Sequence, residues 1–155
     1  MAATYPDLFR AAIPCSGVNA GCFVSSSGGI DAWNSTCAHG QSIATPATWA
    51  AVAKAMYPGY KKTRPRMQIY HGSMDATLRP QNYQETMKKW AGGLEYDYDK
   101  PQSVKANDPQ SGYTRTVYGP SVHTGHLCAG GGAYGADSWG RRYEVFWVCL
   151  TVGWG

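Results

Sequence analysis

The chain has 155 residues, a length that fits one globular domain. Glycine (19) and proline (9) are abundant, only 15% of the residues are charged, and 43% are hydrophobic. This composition supplies enough apolar material for a core, so it excludes an intrinsically disordered chain, a coiled coil and a fibrous repeat. Every apolar stretch is far shorter than the ~20 residues of a transmembrane helix, so we predict no membrane association.

The basic residues are concentrated in one short run. The net charge is +4, and four of the basic side chains lie in Lys61–Arg66, which a proline interrupts. Nucleic-acid binding needs basic residues arranged along a helix or groove with aromatic residues between them. We therefore predict a solvated turn here and no nucleic-acid partner.

The first predicted elements are a strand and a helix. Residues Arg10–Gly17 are typical of a short buried strand that ends in a Ser-Gly turn. A long Gly- and Ser-rich excursion over residues 17–45 follows, after which Thr45 can cap a helix and Pro46 can take its first position. Apolar residues then recur with helical spacing at Trp49, Val52, Ala53 and Met56.

A second strand and a second helix come next. Arg66–Tyr70 predicts a strand that ends at His71-Gly72, and Pro80 opens a helix that Gly92-Gly93 closes. Apolar residues mark one face of this helix at Tyr83, Met87 and Trp90. A strand followed by a helix, twice, indicates an α/β fold with a parallel sheet.

The sequence also predicts an ion pair in the second helix and one further strand. Glu85 and Lys89 are four residues apart in the second helix, a spacing that predicts an ion pair on its surface. Tyr113–Tyr118 alternates in polarity and predicts another strand.

Asp75 is the candidate catalytic residue. It follows the second strand in the string His71-Gly72-Ser73-Met74-Asp75, and functional groups of open α/β sheets collect beyond the carboxyl ends of strands. An aspartate held there by loop amides can stay ionised and fix the tautomer of a histidine, as the acid of an α/β-hydrolase triad does. The alternative is an aspartate that caps the turn into the next helix.

The sequence contains no partner nucleophile for such a triad. A nucleophile elbow needs G-x-S-x-G, because only small residues tolerate the strand-to-helix turn that exposes the serine, and this pattern is absent. The nearest approach is Gly40–Ala44 around Ser42, which no predicted strand precedes.

The cysteines and histidines indicate no metal site and no cofactor. The five cysteines show no C-x-x-C spacing, which disfavours structural zinc and thioredoxin-type chemistry. Cys22 and Cys37 flank an irregular loop within residues 17–45 and could close it as a disulfide; buried free thiols are the alternative. His123 and His126 lie near one another without further ligands nearby.

Several strings of the sequence, in order, resemble one family. They are Met1–Phe9, Ser16–Phe23, Trp33–Ala38, Ala55–Tyr60, Met67–Asp75 and Pro80–Tyr83. They resemble the fungal secreted acetylxylan esterases of carbohydrate esterase family one, which are relatives of feruloyl esterases and polyhydroxybutyrate depolymerases. The resemblance extends from Met1 to about Pro120.

The resemblance implies a fold and a reaction. Residues 1–120 would be part of an α/β-hydrolase domain, the C-terminal portion of a mostly parallel sheet with flanking helices. The family uses a Ser/Asp/His triad to deacetylate xylan; Asp75 matches the triad acid, and Trp33 falls in a loop that lines the substrate cleft. Acetylated xylan or a related plant polysaccharide ester is the expected partner.

The same resemblance predicts that this chain is inactive alone. The family serine would precede Met1, and the C-terminal Gly-Val-Gly-His-Thr-Val-Pro string that carries the family histidine is missing. The alternative function is a non-catalytic carbohydrate-binding or interaction remnant that uses exposed aromatic residues.

Residues 121–155 are predicted to be a disordered tail outside the domain. Residues Gly125–Gly140 have a possible coding sequence which, read one base later, gives the family's own histidine string. The lost histidine codon would straddle Ala133 and Tyr134. We therefore predict an out-of-frame tail.

The sequence features that bear on cellular location disagree with one another. The five cysteines and the sequon Asn34-Ser35-Thr36 favour an extracellular protein with glycosylated Asn34, as the secreted family implies. The N-terminal residues Met1–Asp7 have neither the basic start nor the apolar core of a signal peptide.

Overall fold

The computed structural model describes residues 1–24, 33–109 and 111–119, and the backbone of strands within 123–144. The helices are α1 (Ser35–Ala38), α2 (Pro46–Ala55) and α3 (Gln81–Gly93). The strands are β1 (Ala11–Ala12), β2 (Arg66–Gly72), β3 (Ser103–Ala106), β4 (Tyr113–Tyr118), β5 (His123–Cys128), β6 (Tyr134–Ala136) and β7 (Arg142–Glu144). Within the described residues, no helix is both long enough and apolar enough to cross a bilayer.

Five strands form one mixed sheet in the order β1-β2-β5-β4-β3. β1 and β5 both pair with β2 in parallel, whereas β4 is antiparallel to both β5 and β3. The α/β class is confirmed, but the sheet is parallel only in the half that contains β2. The connections explain two of these pairs: a short turn joins β3 to β4 and allows only an antiparallel pair, whereas helices α1 and α2 lie between the parallel strands β1 and β2.

The first strand is shorter than predicted. Only Ala11–Ala12 pairs continuously with β2, and pairing resumes as an isolated bridge between Cys15 and Tyr70. Pro14 lies between these contacts and has no N–H to donate, although its carbonyl accepts from Tyr70 N–H at 3.0 Å.

Strand β2 and helix α3 share one core. Met67, Ile69 and His71 alternate as the buried residues of β2. Met67 and Ile69 lie in a cluster with the apolar face predicted for α3, namely Tyr83, Met87 and Trp90. The predicted strand and the predicted helix are therefore confirmed, and together they fix the loop between them.

Helix α2 begins as its sequence predicts. The Thr45 hydroxyl accepts a hydrogen bond from Thr48 N–H at 3.1 Å, and Pro46 takes the first helical position. Trp49 and Ala53 are buried on the inner face. This cap supplies an acceptor to one of the N–H groups that have no partner within the helix.

The ion pair predicted between Glu85 and Lys89 is wrong. Glu85 pairs instead with Lys88, whose Nζ lies 2.8 Å from Oε1. Lys89 is fully buried, and its Nζ donates to the carbonyl of Ala20. The two side chains have separate partners because Glu85 contacts α2 through Trp49, whereas Lys89 reaches the loop before α1.

The basic run is also only partly solvated. Lys61, Lys62 and Arg66 are exposed, as predicted. Arg64 is buried, its guanidinium donates to the Ala3 carbonyl at 3.3 Å, and it lies 5.7 Å from the centre of the Tyr60 ring. Burial lowers the pKa of Arg64, an effect that nearby Tyr60 opposes. This arginine therefore holds the N-terminal segment and is not free to bind a ligand.

The predicted boundary at residue 120 stays a prediction. Strand β5 falls inside the predicted tail, and its backbone lies between β2 and β4. Apart from β5, β6 and β7, residues 120–155 lie outside the described part of the chain, as do the side chains of the tail.

Candidate active site

Asp75 lies in the loop that leaves the carboxyl end of β2. Its Oδ1 accepts hydrogen bonds from Thr77 N–H at 3.0 Å and Leu78 N–H at 2.8 Å. Both donors precede α3, so the carboxylate caps a turn of the loop and not the helix itself. The side chain is 19% exposed, which leaves the carboxylate partly accessible.

His71 lies beneath this loop as the last buried residue of β2. Its Nε2 is 2.7 Å from the Leu78 carbonyl oxygen. Because a carbonyl can only accept, Nε2 carries the hydrogen. The same Nε2 is 3.7 Å from Asp75 Oδ2, which is too long for a hydrogen bond. The sequence analysis assigned no role to His71. Its place on the inward-facing side of a buried strand, where a polar residue needs a hydrogen-bond partner, was the feature that could have indicated one.

A short helix, α1, presents the second group of predicted residues. Asn34 caps it: Oδ1 accepts from Cys37 N–H at 3.0 Å, and Nδ2 donates to the Cys22 carbonyl at 3.3 Å. Cys22 and Cys37 form a disulfide with a Cα–Cα distance of 5.8 Å, so the predicted pairing is present. Sequence reasoning missed α1, although an asparagine before Ser35 is a common helix start.

Trp33 precedes this cap and is exposed over 59% of its surface. Its ring lies 5.4 Å from that of Phe23 and tilts 43° to it. Adjacent exposed apolar side chains form a patch, and such patches can mark binding surfaces. The pair therefore offers an accessible aromatic surface beside the disulfide.

Helix α1 is docked onto the loop that carries Asp75. The Ala38 carbonyl accepts from Arg79 N–H and from Asn82 Nδ2, both at 2.9 Å. Gly40 has φ +69°, and a Cβ there would lie 2.5 Å from the Cβ of Gln81, so only glycine permits this approach. The Trp33 segment and the Asp75 loop thus belong to one hydrogen-bonded unit.

Among the described residues, the remaining sequence candidates add no catalytic group. Ser42 lies in an irregular segment between α1 and α2, so it does not follow a strand as an elbow serine must. The described residues contain no cluster of three or more His, Cys, Asp or Glu side chains able to hold a metal ion. The side chains of His123 and His126 lie outside the described part.

Comparison with known proteins identifies the relatives of this chain. No family model matches it. A probable acetylxylan esterase A from Aspergillus clavatus is 66% identical over 122 residues, which are 79% of this chain and 40% of the relative. The acetylxylan esterase A of Aspergillus oryzae is 56% identical over 151 residues, which are 97% of this chain and 48% of the relative.

A solved structure agrees with the sequence relatives. The acetyl xylan esterase from Aspergillus awamori superposes with a TM-score of 0.80 at 57% identity, over 84% of this chain and 47% of that one. The chain is similar to one part of the fungal acetylxylan esterases. It spans less than half the length of these acetylxylan esterases.

This similarity to acetylxylan esterases can be compared with the positions of the predicted site residues. The structure places Asp75 and Trp33 on two segments that hydrogen-bond to each other through Ala38. Asp75, as triad acid, and Trp33, as a substrate-binding residue, remain predictions, as does glycosylation of Asn34.

Proposed function

We propose that this chain provides the triad acid of an acetylxylan esterase, with Asp75 as that acid. The proposal rests on the hydrogen bonding of the two oxygens of the Asp75 carboxylate. Two backbone N–H groups hold Oδ1, whereas Oδ2 has no hydrogen bond within the described part of the chain. A carboxylate held in this way can accept the N–H of a catalytic imidazole.

The proposed reaction is acyl transfer. A serine hydroxyl attacks the carbonyl carbon of an acetyl group on xylan, and a histidine takes the hydroxyl proton. When the tetrahedral intermediate collapses, the histidine returns that proton to the sugar oxygen that leaves. Water then attacks the acetyl-serine by the same route, and acetate is released. Asp75 orients the histidine and stabilises its cationic form throughout.

This chain is proposed to be inactive by itself. Its sequence contains no G-x-S-x-G, and removal of the serine or the histidine from such a triad costs about 10⁶ in kcat in the subtilisin example. Acetate release from acetylated xylan by the purified chain, at a rate near that of a full-length relative, would contradict this part of the proposal.

The role of Asp75 is testable in a chimera. Residues 1–119 of this chain would replace the matching segment of the Aspergillus oryzae acetylxylan esterase A, which supplies the rest of the enzyme. We expect Asp75→Asn to lower kcat by on the order of 10⁴, as the same change does in a serine protease triad. Asp7→Asn, at an exposed residue of the N-terminal segment, is the matched control. Full activity of the Asp75 variant would overturn the proposal.

A non-catalytic carbohydrate-binding role is the second candidate, and the exposure of Trp33 favours it. An exposed ring beside Phe23 offers a flat apolar surface on which a sugar ring can stack. This role predicts that the chain is retained on insoluble xylan without turnover, and that Trp33→Ala abolishes retention while Trp33→Phe preserves most of it. Equal retention of all three proteins would exclude it.

An extracellular location with glycosylation at Asn34 is proposed together with this function. The Cys22–Cys37 disulfide supports it, because disulfides persist in oxidising compartments. A glycan on Nδ2 would leave Oδ1, the capping acceptor, in place. Thr36→Ala removes the sequon but keeps the cap, so in a secreting fungal host this variant should lose the glycan mass that the natural chain carries.

A further inference from the structure

We propose that His71 is a positioning residue for Asp75, acting through the backbone of Leu78. This inference rests on the proposed function, because it concerns the same carboxylate. His71 does not touch the reacting atoms in this proposal. Its task is to hold the loop in the one conformation that presents Asp75 Oδ2 to a catalytic histidine.

Leu78 connects the two side chains through both of its backbone polar groups. Its carbonyl accepts the Nε2–H of His71 at 2.7 Å, and its N–H donates to Asp75 Oδ1 at 2.8 Å. Any movement of Leu78 away from His71 therefore also moves a donor away from the carboxylate. Thr77 N–H gives Oδ1 its second bond, so the rotation of the carboxylate depends on two consecutive amides of this one loop.

Packing alone does not account for a histidine at position 71. The other inward-facing residues of β2 are Met67 and Ile69, and His71 continues this apolar row at 2% exposure. A buried imidazole is unfavourable unless its polar atoms are bonded, so an aliphatic residue would fill the same space more simply. The polar group that this position adds is the donor to Leu78.

The location of Nε2 also suits an ionised Asp75. The Nε2–H group is 3.7 Å from Oδ2, which is too far for a hydrogen bond. Its partial positive charge therefore lies near the carboxylate, but Nε2 does not donate to Oδ2. Oδ2 is thereby left available, since the primary bond of Nε2 is to the carbonyl. A direct bond from His71 to Oδ2 would instead compete with the catalytic imidazole.

The test uses three substitutions of His71 in the chimera described above. His71→Gln keeps an N–H donor near the position of Nε2, His71→Asn keeps polarity but is too short to reach Leu78, and His71→Phe keeps the ring without a donor. His39→Phe, at an exposed histidine after α1, is the matched control. Steady-state kinetics on acetylated xylan and the pH dependence of kcat are measured for each protein.

We expect the asparagine and phenylalanine variants to lose roughly 10- to 100-fold in kcat, the size of effect that outer-shell partners have at metal sites, with KM within about twofold. The glutamine variant should retain kcat within about threefold. The acid limb of the pH profile should shift to lower pH in the impaired variants, because a misplaced carboxylate stabilises the imidazolium less. A residue that only supports the fold would change thermal stability without this limb shift.

The outcomes separate this inference from the proposed function. If Asp75→Asn abolishes activity but His71→Asn and His71→Phe keep full kcat, the positioning role is overturned and the triad acid stands. If Asp75→Asn is fully active, both proposals are overturned. If the phenylalanine variant does not fold, the asparagine and glutamine variants decide: equal kcat in these two overturns the inference.

Discussion

Trp49 of α2 and Glu85 of α3 are joined by a buried hydrogen bond, in which the indole Nε1–H donates to Oε2 at 2.7 Å. Three more donors reach the same carboxylate, which is 1% exposed. They are Ala44 N–H at 3.1 Å, Gln81 Nε2 at 2.7 Å and Lys88 Nζ at 2.8 Å. Glu85 therefore ties α3 to α2 and to the segment that leads into it.

The first prediction concerns the charge of Glu85. Burial acts to raise the pKa of this carboxyl, but its hydrogen bonds outweigh that effect and hold the pKa below the ordinary value of 4.5. We expect Glu85→Gln to lower the free energy of unfolding at pH 7 by about 2–4 kcal/mol, because a neutral amide pairs poorly with these donors. Urea titration measures the loss.

The pH dependence of this loss has a definite sign. A depressed folded pKa gives stability that is present above the unfolded pKa and is lost as pH falls through the folded value. The gap between the natural chain and Glu85→Gln should therefore shrink below about pH 4. Glu95→Gln, at an exposed glutamate after α3, should leave stability within ~0.5 kcal/mol. A pH-independent gap would contradict the prediction.

The second prediction concerns Lys89. Desolvation by burial, with a smaller effect of Arg64, lowers its pKa from 10.5 to about 8. The folded state then binds fewer protons than the unfolded state between these values, so stability should rise with pH there. We expect a gain of about 1–2 kcal/mol from pH 7.5 to about 9, where tyrosines of ordinary pKa are still mostly protonated.

Lys89→Met should flatten this rise. Methionine has a similar length and no charge, so the variant removes the titrating group while filling the space. Lys54→Met, at an exposed lysine of α2, should keep the rise. Thermal unfolding in a pH series distinguishes them, and a rise of equal size in Lys89→Met would disprove the assignment.

The third prediction compares two adjacent glycines at the end of α3. A Cβ on Gly92 would lie 2.6 Å from the Pro46 carbonyl oxygen, whereas a Cβ on Gly93 meets nothing within 4 Å. Gly92→Ala should therefore cost about 1–3 kcal/mol, because helix α2 must move away. Gly93→Ala should be neutral or stabilising by up to ~1 kcal/mol. Similar melting temperatures for the two variants would refute the close packing of α2 on α3.

The fourth prediction concerns the disulfide. Cys22 and Cys37 are 15 residues apart, and closing a loop of this size stabilises a fold by about 3 kcal/mol in the chain-entropy description. A reducing agent should lower the melting temperature of the natural chain and of Cys15→Ala. The Cys22→Ala/Cys37→Ala double variant should have the lower value from the start and no further response to the reductant.

Local signals in the sequence determined several of the regular elements. The Thr45-Pro46 start of α2, the apolar spacing of α3 and the existence of strand β4 were each confirmed, because caps and periodicity depend on residues within a few positions of each other. The same locality placed Asp75 at the end of β2, with its carboxylate held by loop amides.

Only the tertiary structure decided which of these elements and side chains meet. Lys89 donates a hydrogen bond to the Ala20 carbonyl and forms no ion pair with Glu85. Strand β4 pairs antiparallel with β5 in a sheet that also has parallel strands. The Ala38 carbonyl accepts from the N–H of Arg79, about 40 residues further along the chain. These contacts join distant parts of the chain, so no local pattern specifies them. His71 illustrates the difference: the sequence shows a histidine after a strand, whereas the fold places its N–H on the carbonyl of Leu78.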